Sequence, residues 1–223
     1  MHKRSVYPAL ALLAALPLGG CGAPSQTAAP SQTAAPMPPP SAVALSGTGQ
    51  QVTRKFTVTD GLAVFSASCK CSANFSAELL DSTGQTKDVV FNTIGAFTGS
   101  KGEGLTAGAY SVKVTADAAW SIQVAQPRRS GGDPLPHMYS GKGQQLVGPF
   151  NADSAVKIDG KNTATSGGNF AATVLGAQGD TLDVPINEIG NYNGSTVANN
   201  LANGPYYINV DSDGSWTLGV STP

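Results

Sequence analysis

The stretch Ala109-Tyr110-Ser111-Val112-Lys113-Val114-Thr115, followed by Trp120-Ser121-Ile122-Gln123-Val124, decides the fold. Tyr110, Val112 and Val114 alternate with Ser111, Lys113 and Thr115, and Trp120, Ile122 and Val124 alternate with Ser121 and Gln123. A period of two lays the apolar side chains on one face of an extended strand, whereas a helix would scatter them around its axis. The short polar segment 116–119 between the runs has the length of a hairpin turn. The same reading predicts strands at 51–58, 62–68, 74–81, 89–92 and 97–99, with Gly, Asp and Asn punctuating them. Short strands spaced about 8–12 residues apart, without a convincing helix, predict an antiparallel sandwich or jelly roll.

The pattern is written twice. Ser46-Gly47-Thr48-Gly49-Gln50-Gln51 returns as Ser140-Gly141-Lys142-Gly143-Gln144-Gln145, and Asn74-Phe75 returns as Asn169-Phe170. Phe91-Asn92-Thr93-Ile94-Gly95-Ala96-Phe97-Thr98-Gly99-Ser100 returns as Ile186-Asn187-Glu188-Ile189-Gly190-Asn191-Tyr192-Asn193-Gly194-Ser195. Gly108-Ala109-Tyr110 returns as Gly204-Pro205-Tyr206, and Asp117, Trp120, Val124 and Pro127 return as Asp213, Trp216, Val220 and Pro223. The offset drifts only from 94 to 96 residues, so the chain carries an internal duplication. The expectation is an all-β protein with two tandem antiparallel β-sandwich or jelly-roll-like domains at 45–127 and 139–223. Between them lies a hinge, 128–138, rich in Gly and Pro.

Ahead of the repeats stands an export signal, predicted at 1–20. His2, Lys3 and Arg4 lead into an apolar run from Val6 to Leu18, and Leu18-Gly19-Gly20-Cys21 closes it. This ending resembles the lipobox of bacterial lipoproteins. The resemblance implies that Cys21 is lipidated and becomes the N-terminus of the mature chain, anchored to a membrane by its acyl groups, palmitate among them. More than one acyl chain is needed for stable anchoring, since each buried CH₂ adds about 0.8 kcal/mol. Gly22 stands where an Asp is absent, which resembles lipoproteins sent on to an outer membrane. The expected location is therefore extracytoplasmic, on the cell membrane or an outer membrane. Residues 21–44 repeat Ala-Pro-Ser-Gln-Thr-Ala and end in Met37-Pro38-Pro39-Pro40, an uncharged linker with almost nothing to bury.

Composition suits a body facing water through Ser, Thr, Asn, Gln and 27 glycines instead of charge. Thirteen Lys and Arg against fourteen Asp and Glu give a net charge of −1, which leaves no electrostatic footprint for nucleic acid. The recurring Asn-Phe, Asn-x-Ile-Gly-x-(Phe/Tyr)-x-Gly-Ser, Gly-x-Tyr and Trp-x-hydrophobic-x-Val is similar to repeat modules of bacterial surface lipoproteins whose function is unassigned. That resemblance implies fold and location and brings no catalytic residue. Asp211-Ser212-Asp213-Gly214-Ser215-Trp216 fits its Asp-Gly-x-Trp turn, while Asp117-Ala118-Ala119-Trp120 departs from it.

Individual residues point to chemistry more weakly. Cys69 and Cys71 remain as a pair in an oxidising compartment and are expected to form a disulfide, with free redox-active thiols or a soft-metal site as alternatives. Asp211 and Asp213 resemble the start of a calcium loop but lack the downstream bidentate Glu, and Asp-Gly is also hairpin chemistry. Trp120, Trp216, Tyr110 and Tyr206 sit at matching positions on alternating strands and are expected in the cores. Gly95 and Gly190 are expected to adopt positive φ or a bulge. Tyr207 faces opposite to Tyr206 and matches Ser111, so it is expected at the surface as a possible ligand contact. One histidine lies in the signal and His137 in the hinge, leaving no histidine-based triad. No catalytic residue and no cofactor is assigned, and the chain is expected not to be an enzyme. The expected function is a surface binding or structural module for an envelope polysaccharide or protein. The alternatives are a scaffold or accessory subunit of an envelope complex and, ranked last, a hydrolase.

Overall fold

The computed structural model describes residues 38–128, 130–164, 167–202 and 204–223. Cys21 and the signal lie outside these residues. Alternation becomes strands throughout, and the described residues form no helix.

The first module contains β1 (Val43–Thr48), β2 (Gln51–Val52), β3 (Phe56–Val58), β4 (Gly61–Cys69), β5 (Asn74–Leu80), β6 (Thr86–Ile94), β7 (Phe97–Leu105), β8 (Gly108–Thr115) and β9 (Ala119–Ala125). One sheet runs β1-β9-β4-β7; the other runs β2-β8-β5-β6, with β3 also on β8. The second module contains β10 (His137–Lys142), β11 (Gln145–Ala152), β12 (Val156–Thr163), β13 (Asn169–Leu175), β14 (Thr181–Ile189), β15 (Tyr192–Ala198), β16 (Gly204–Ser212) and β17 (Ser215–Ser221). Its sheets run β10-β17-β12-β15 and β11-β16-β13-β14. If β2 and β3 are counted together as the counterpart of β11, the strand order is the same in both modules. Each is a two-sheet antiparallel jelly roll.

Inward-facing residues of both sheets make each core. Phe65, Phe75, Phe91, Leu79 and Ile122 are fully buried in the first, and Phe150, Phe170, Ile158, Ile186, Ile208 and Leu218 in the second. Trp120 and Trp216 close the ends of these cores at 4% and 2% exposure. Their place explains the duplicated Ser-Gly-x-Gly motif. Gly47 pairs with Trp120 and Gly141 with Trp216. A Cβ at Gly47 would lie 2.7 Å from the indole, and one at Gly141 would lie 2.5 Å from it. Two residues on, Gly49 and Gly143 turn the chain at φ 70°. Their carbonyls accept the indole Nε1–H at 3.0 and 2.9 Å. Gly95 and Gly190, at φ 89° and 87°, make the equivalent turns after β6 and β14.

The segment between the modules is held against the second. Asp133 bridges to Phe150, and the Asn151 side chain exchanges hydrogen bonds with the backbone of Gly132. His137 is the first residue of β10 and pairs with Val220. A histidine therefore stands within the folded strands, not in a hinge as expected, because the ladder with β17 extends back to it.

Candidate functional site

An edge strand exposes N–H and C=O groups that its own sheet cannot pair. On β7 these belong to Ser100 and Gly102, and the second module takes them. Ser100 N–H donates to the Gln144 carbonyl at 3.1 Å, and Leu146 N–H donates to Ser100 Oγ at 3.0 Å. The Asn209 carboxamide acts as a peptide group would: Oδ1 accepts from Gly102 N–H and Nδ2 donates to the Gly102 carbonyl, both at 2.8 Å. Beside this clamp Leu62 and Val64 of β4 pack against Leu146, Leu175 and Tyr207. Glycine makes the approach possible. A Cβ at Gly102 would lie 3.0 Å from both Leu62 and Leu146, and one at Gly104 would lie 2.9 Å from the Gly179 carbonyl.

Tyr207 is thus no surface aromatic. It is 4% exposed, and what covers it is the other module. Its outward direction on β16 matches the alternation; a sandwich considered alone simply has no partner there.

Along this seam runs a groove of two adjoining concavities, with volumes of about 650 and 460 Å³, that share Asn92, Gln144 and Asp211. In the larger, the β6–β7 turn with Ile94 and Phe97 faces Gln145, Asn169 and Asp213. The smaller contains Asp88, Lys101 and Glu103. Lys101 Nζ lies 2.8 Å from Asp88 and 2.6 Å from Glu103. Burial pushes the Glu103 carboxyl up to about 7, and its hydrogen bond to Asp88 pushes the same way against the pull of Lys101. Burial acts on Asp88 too, but hydrogen bonds from Glu103 and Lys101 outweigh it and hold this carboxyl below its ordinary value. Burial disfavours the charge on Lys101 as well, yet its two carboxylates raise it. As pH falls through about 7 the pair therefore takes up one proton, on Glu103. Asp211 stands in both concavities, raised by burial and opposed only by the more distant Lys101.

The residues singled out from sequence fall elsewhere or at the groove margin. Cys69 and Cys71 form a disulfide with Cα atoms 5.2 Å apart, both buried at the end of β4. Beside them Asp117 accepts from Ser72 and Ala73 N–H, and hydrogen bonding to Ser72 holds its carboxyl low. Asp211 faces the groove, while the Asp213 carboxylate lies against Gly168, whose missing Cβ leaves it room. The turn after them is tied by Gly214 N–H donating to Ser212 Oγ at 2.9 Å. Among the described residues no group of three or more His, Cys, Asp or Glu is placed to hold a metal ion. His137 Nε2 lies 3.6 Å from Asp133. The Asp88, Lys101 and Glu103 cluster was missed in the sequence because its members come from two strands at opposite sides of a turn. The visible signal was a pair of charges on β7 where β15 has Thr196 and Ala198.

No family model and no curated protein matches the chain. Among solved structures it is similar to a cupin 2 conserved barrel domain protein from Leptotrichia buccalis. The two share 11% identity over 85% of this chain and 92% of that one, with a TM-score of 0.24. The expectation that the chain is not an enzyme is corrected here. It rested on the absence of a histidine-based triad from the folded domains. His137 lies in a strand, and the groove holds a carboxyl raised by burial to about 7. A likeness at this TM-score assigns no reaction either.

Proposed function

We propose that the chain is an exported lipoprotein, anchored through Cys21 and lifted off the membrane by its linker, that binds an envelope glycan in the seam groove. The groove carries this reading. Its volume falls in the range of small-ligand sites. Its lining joins the amides of Asn92, Gln144, Gln145 and Asn169 to the carboxylate of Asp211, with Phe97 and Ile94 as an apolar wall. Amides and carboxylates offer the adjacent donors and acceptors that sugar hydroxyls require. No described aromatic side chain is fully exposed, so a concave site is favoured over a flat stacking platform.

A second reading, a scaffold subunit of an envelope complex, is favoured by apolar side chains exposed at equivalent places: Val89 and Ile94 on β6, Val184 and Ile189 on β14. Cosedimentation with isolated envelope polysaccharide separates the two. Asp211→Ala and Asn92→Ala should each weaken retention about tenfold, the effect of one or two lost hydrogen bonds at about 1 kcal/mol each, with melting temperature unchanged. Equal retention of wild type and both variants would refute the groove. Loss of protein capture on changing Ile94 and Ile189, with no polysaccharide retained by wild type, would establish the scaffold.

A further inference from the structure

β15 occupies in the second module the place of β7 in the first. It pairs with β12 from Asn162↔Tyr192 to Val156↔Ala198, as β7 pairs with β4 from Cys69↔Phe97 onward. Ser195 stands where Ser100 stands, and Val197 where Gly102 stands. The outward backbone groups that module two satisfies on β7 therefore recur on β15 at Asn193, Ser195 and Val197. Among the described residues their one contact is an exposed bond from Asn199 Nδ2 to the Val197 carbonyl at 3.3 Å.

Proteins blunt such edges with charge, proline, inward-pointing ionic groups or a covering element. The other edges here have these devices, or are very short, as β2 and β3 are at two and three residues. β7 is covered and carries inward Lys101 and Glu103, β6 has its Val90 carbonyl held by Gln144, and β1 has its Ala44 carbonyl held by Arg54. β11 and β14 contain Pro149 and Pro185, and β10 ends in Lys142. β15, Tyr192-Asn193-Gly194-Ser195-Thr196-Val197-Ala198, has no charge and no proline, and Val197 is 41% exposed.

We propose that β15 is a strand-pairing interface occupied by β15 of a second copy of this chain. The equivalent edge is already an interface within the chain, and an uncharged strand is complementary to itself. A two-fold axis through Ser195 closes the contact: Ser195 pairs with Ser195 of the second copy, and Asn193 with its Val197, joining two four-stranded sheets into one across the dimer.

Cysteine crosslinking of the full chain in membranes tests it. In a hydrogen-bonded antiparallel pair the Cα atoms lie about 5.5 Å apart, within disulfide reach, so Ser195→Cys should give a dimer band on a non-reducing gel. Two Asn193 residues would lie about 13 Å apart along the strands, so Asn193→Cys should not. Val197→Pro removes only an outward N–H, leaving the β12 ladder intact, and should abolish the Ser195→Cys dimer while thermal unfolding stays as in wild type. Absence of the Ser195→Cys dimer, equal crosslinking through Asn193→Cys, or a dimer that survives Val197→Pro would each overturn the proposal.

Discussion

Replacing Tyr207 by serine gives the second module the residue that the first carries at Ser111. An aromatic side chain of this kind buries about 150–250 Å², of which serine keeps a minor share. At about 25 cal/mol per Å² the loss is about 3–5 kcal/mol, a large part of a domain's stability of about 5–15 kcal/mol. The structure says where that loss falls. Tyr207 points away from its own core and belongs to the cluster that joins Leu62 and Val64 of the other module to Leu146 and Leu175 of its own, so the weakened element is the seam. Scanning calorimetry reads this directly. The wild-type chain should unfold in one transition because the modules share the seam; Tyr207→Ser should split it into two, with the less stable module melting first. Tyr207→Phe, which keeps the ring, should retain the single transition. A single unshifted transition in Tyr207→Ser would refute the claim that this cluster couples the modules.

Trp216→Ala removes a ring that is 2% exposed together with its bond to the Gly143 carbonyl. A loss of about 3–5 kcal/mol is expected, read as a drop in the urea midpoint for the second module. Unchanged midpoints would place the indole outside the core. Glu103 titrates at about 7 in the fold against an ordinary value of 4.5, so the folded chain holds a proton that the unfolded chain releases. Stability should therefore fall as pH rises through that window and stay low above it; Asp211, also raised, adds to the same slope. Glu103→Gln keeps a donor toward Asp88 without titrating. Its urea midpoint should change less than wild type's between about pH 5 and pH 8; equal slopes would place the titrating group elsewhere.

Inward faces were legible in the sequence because burial repeats every second residue, and the duplication set the counterpart of each strand. Tyr110 and Tyr206, Trp120 and Trp216, Gly95 and Gly190 all stand where that logic puts them. Outward faces were not legible. An outward Tyr207 in an isolated sandwich meets water, and no local pattern announces a second module against it. The signal lay in the difference between copies. Leu62 and Val64 of β4 correspond to Ala155 and Lys157, while Tyr207 and Asn209 of β16 correspond to Ser111 and Lys113. Where one copy is apolar or amide on an outward face and the other is small or charged, the first faces a neighbour. The glycines of β7 carry the same message, since Gly102 and Gly104 admit another backbone while their counterparts Val197 and Asn199 do not. The acid–lysine cluster was hidden because its members meet only when the mouth between β6 and β7 closes.

The seam joins unlike surfaces, the β4–β7 face of one module to the β11–β16–β13 face of the next. A rule of that kind has no built-in stop: applied to identical units it adds a third and a fourth, and yields an open fibre where its rotation does not close into a ring. The two free faces lack the residues that a further joint of this kind uses. The trailing face presents Lys157 where a further joint needs an apolar side chain, and the leading face presents Lys113 where it needs the Asn209 amide. The lysines thus stand where the outward faces of the two modules differ from the joined ones. Exchanging both, Lys157→Val with Lys113→Asn, should favour head-to-tail association through these two faces, read by light scattering as species larger than the wild type forms.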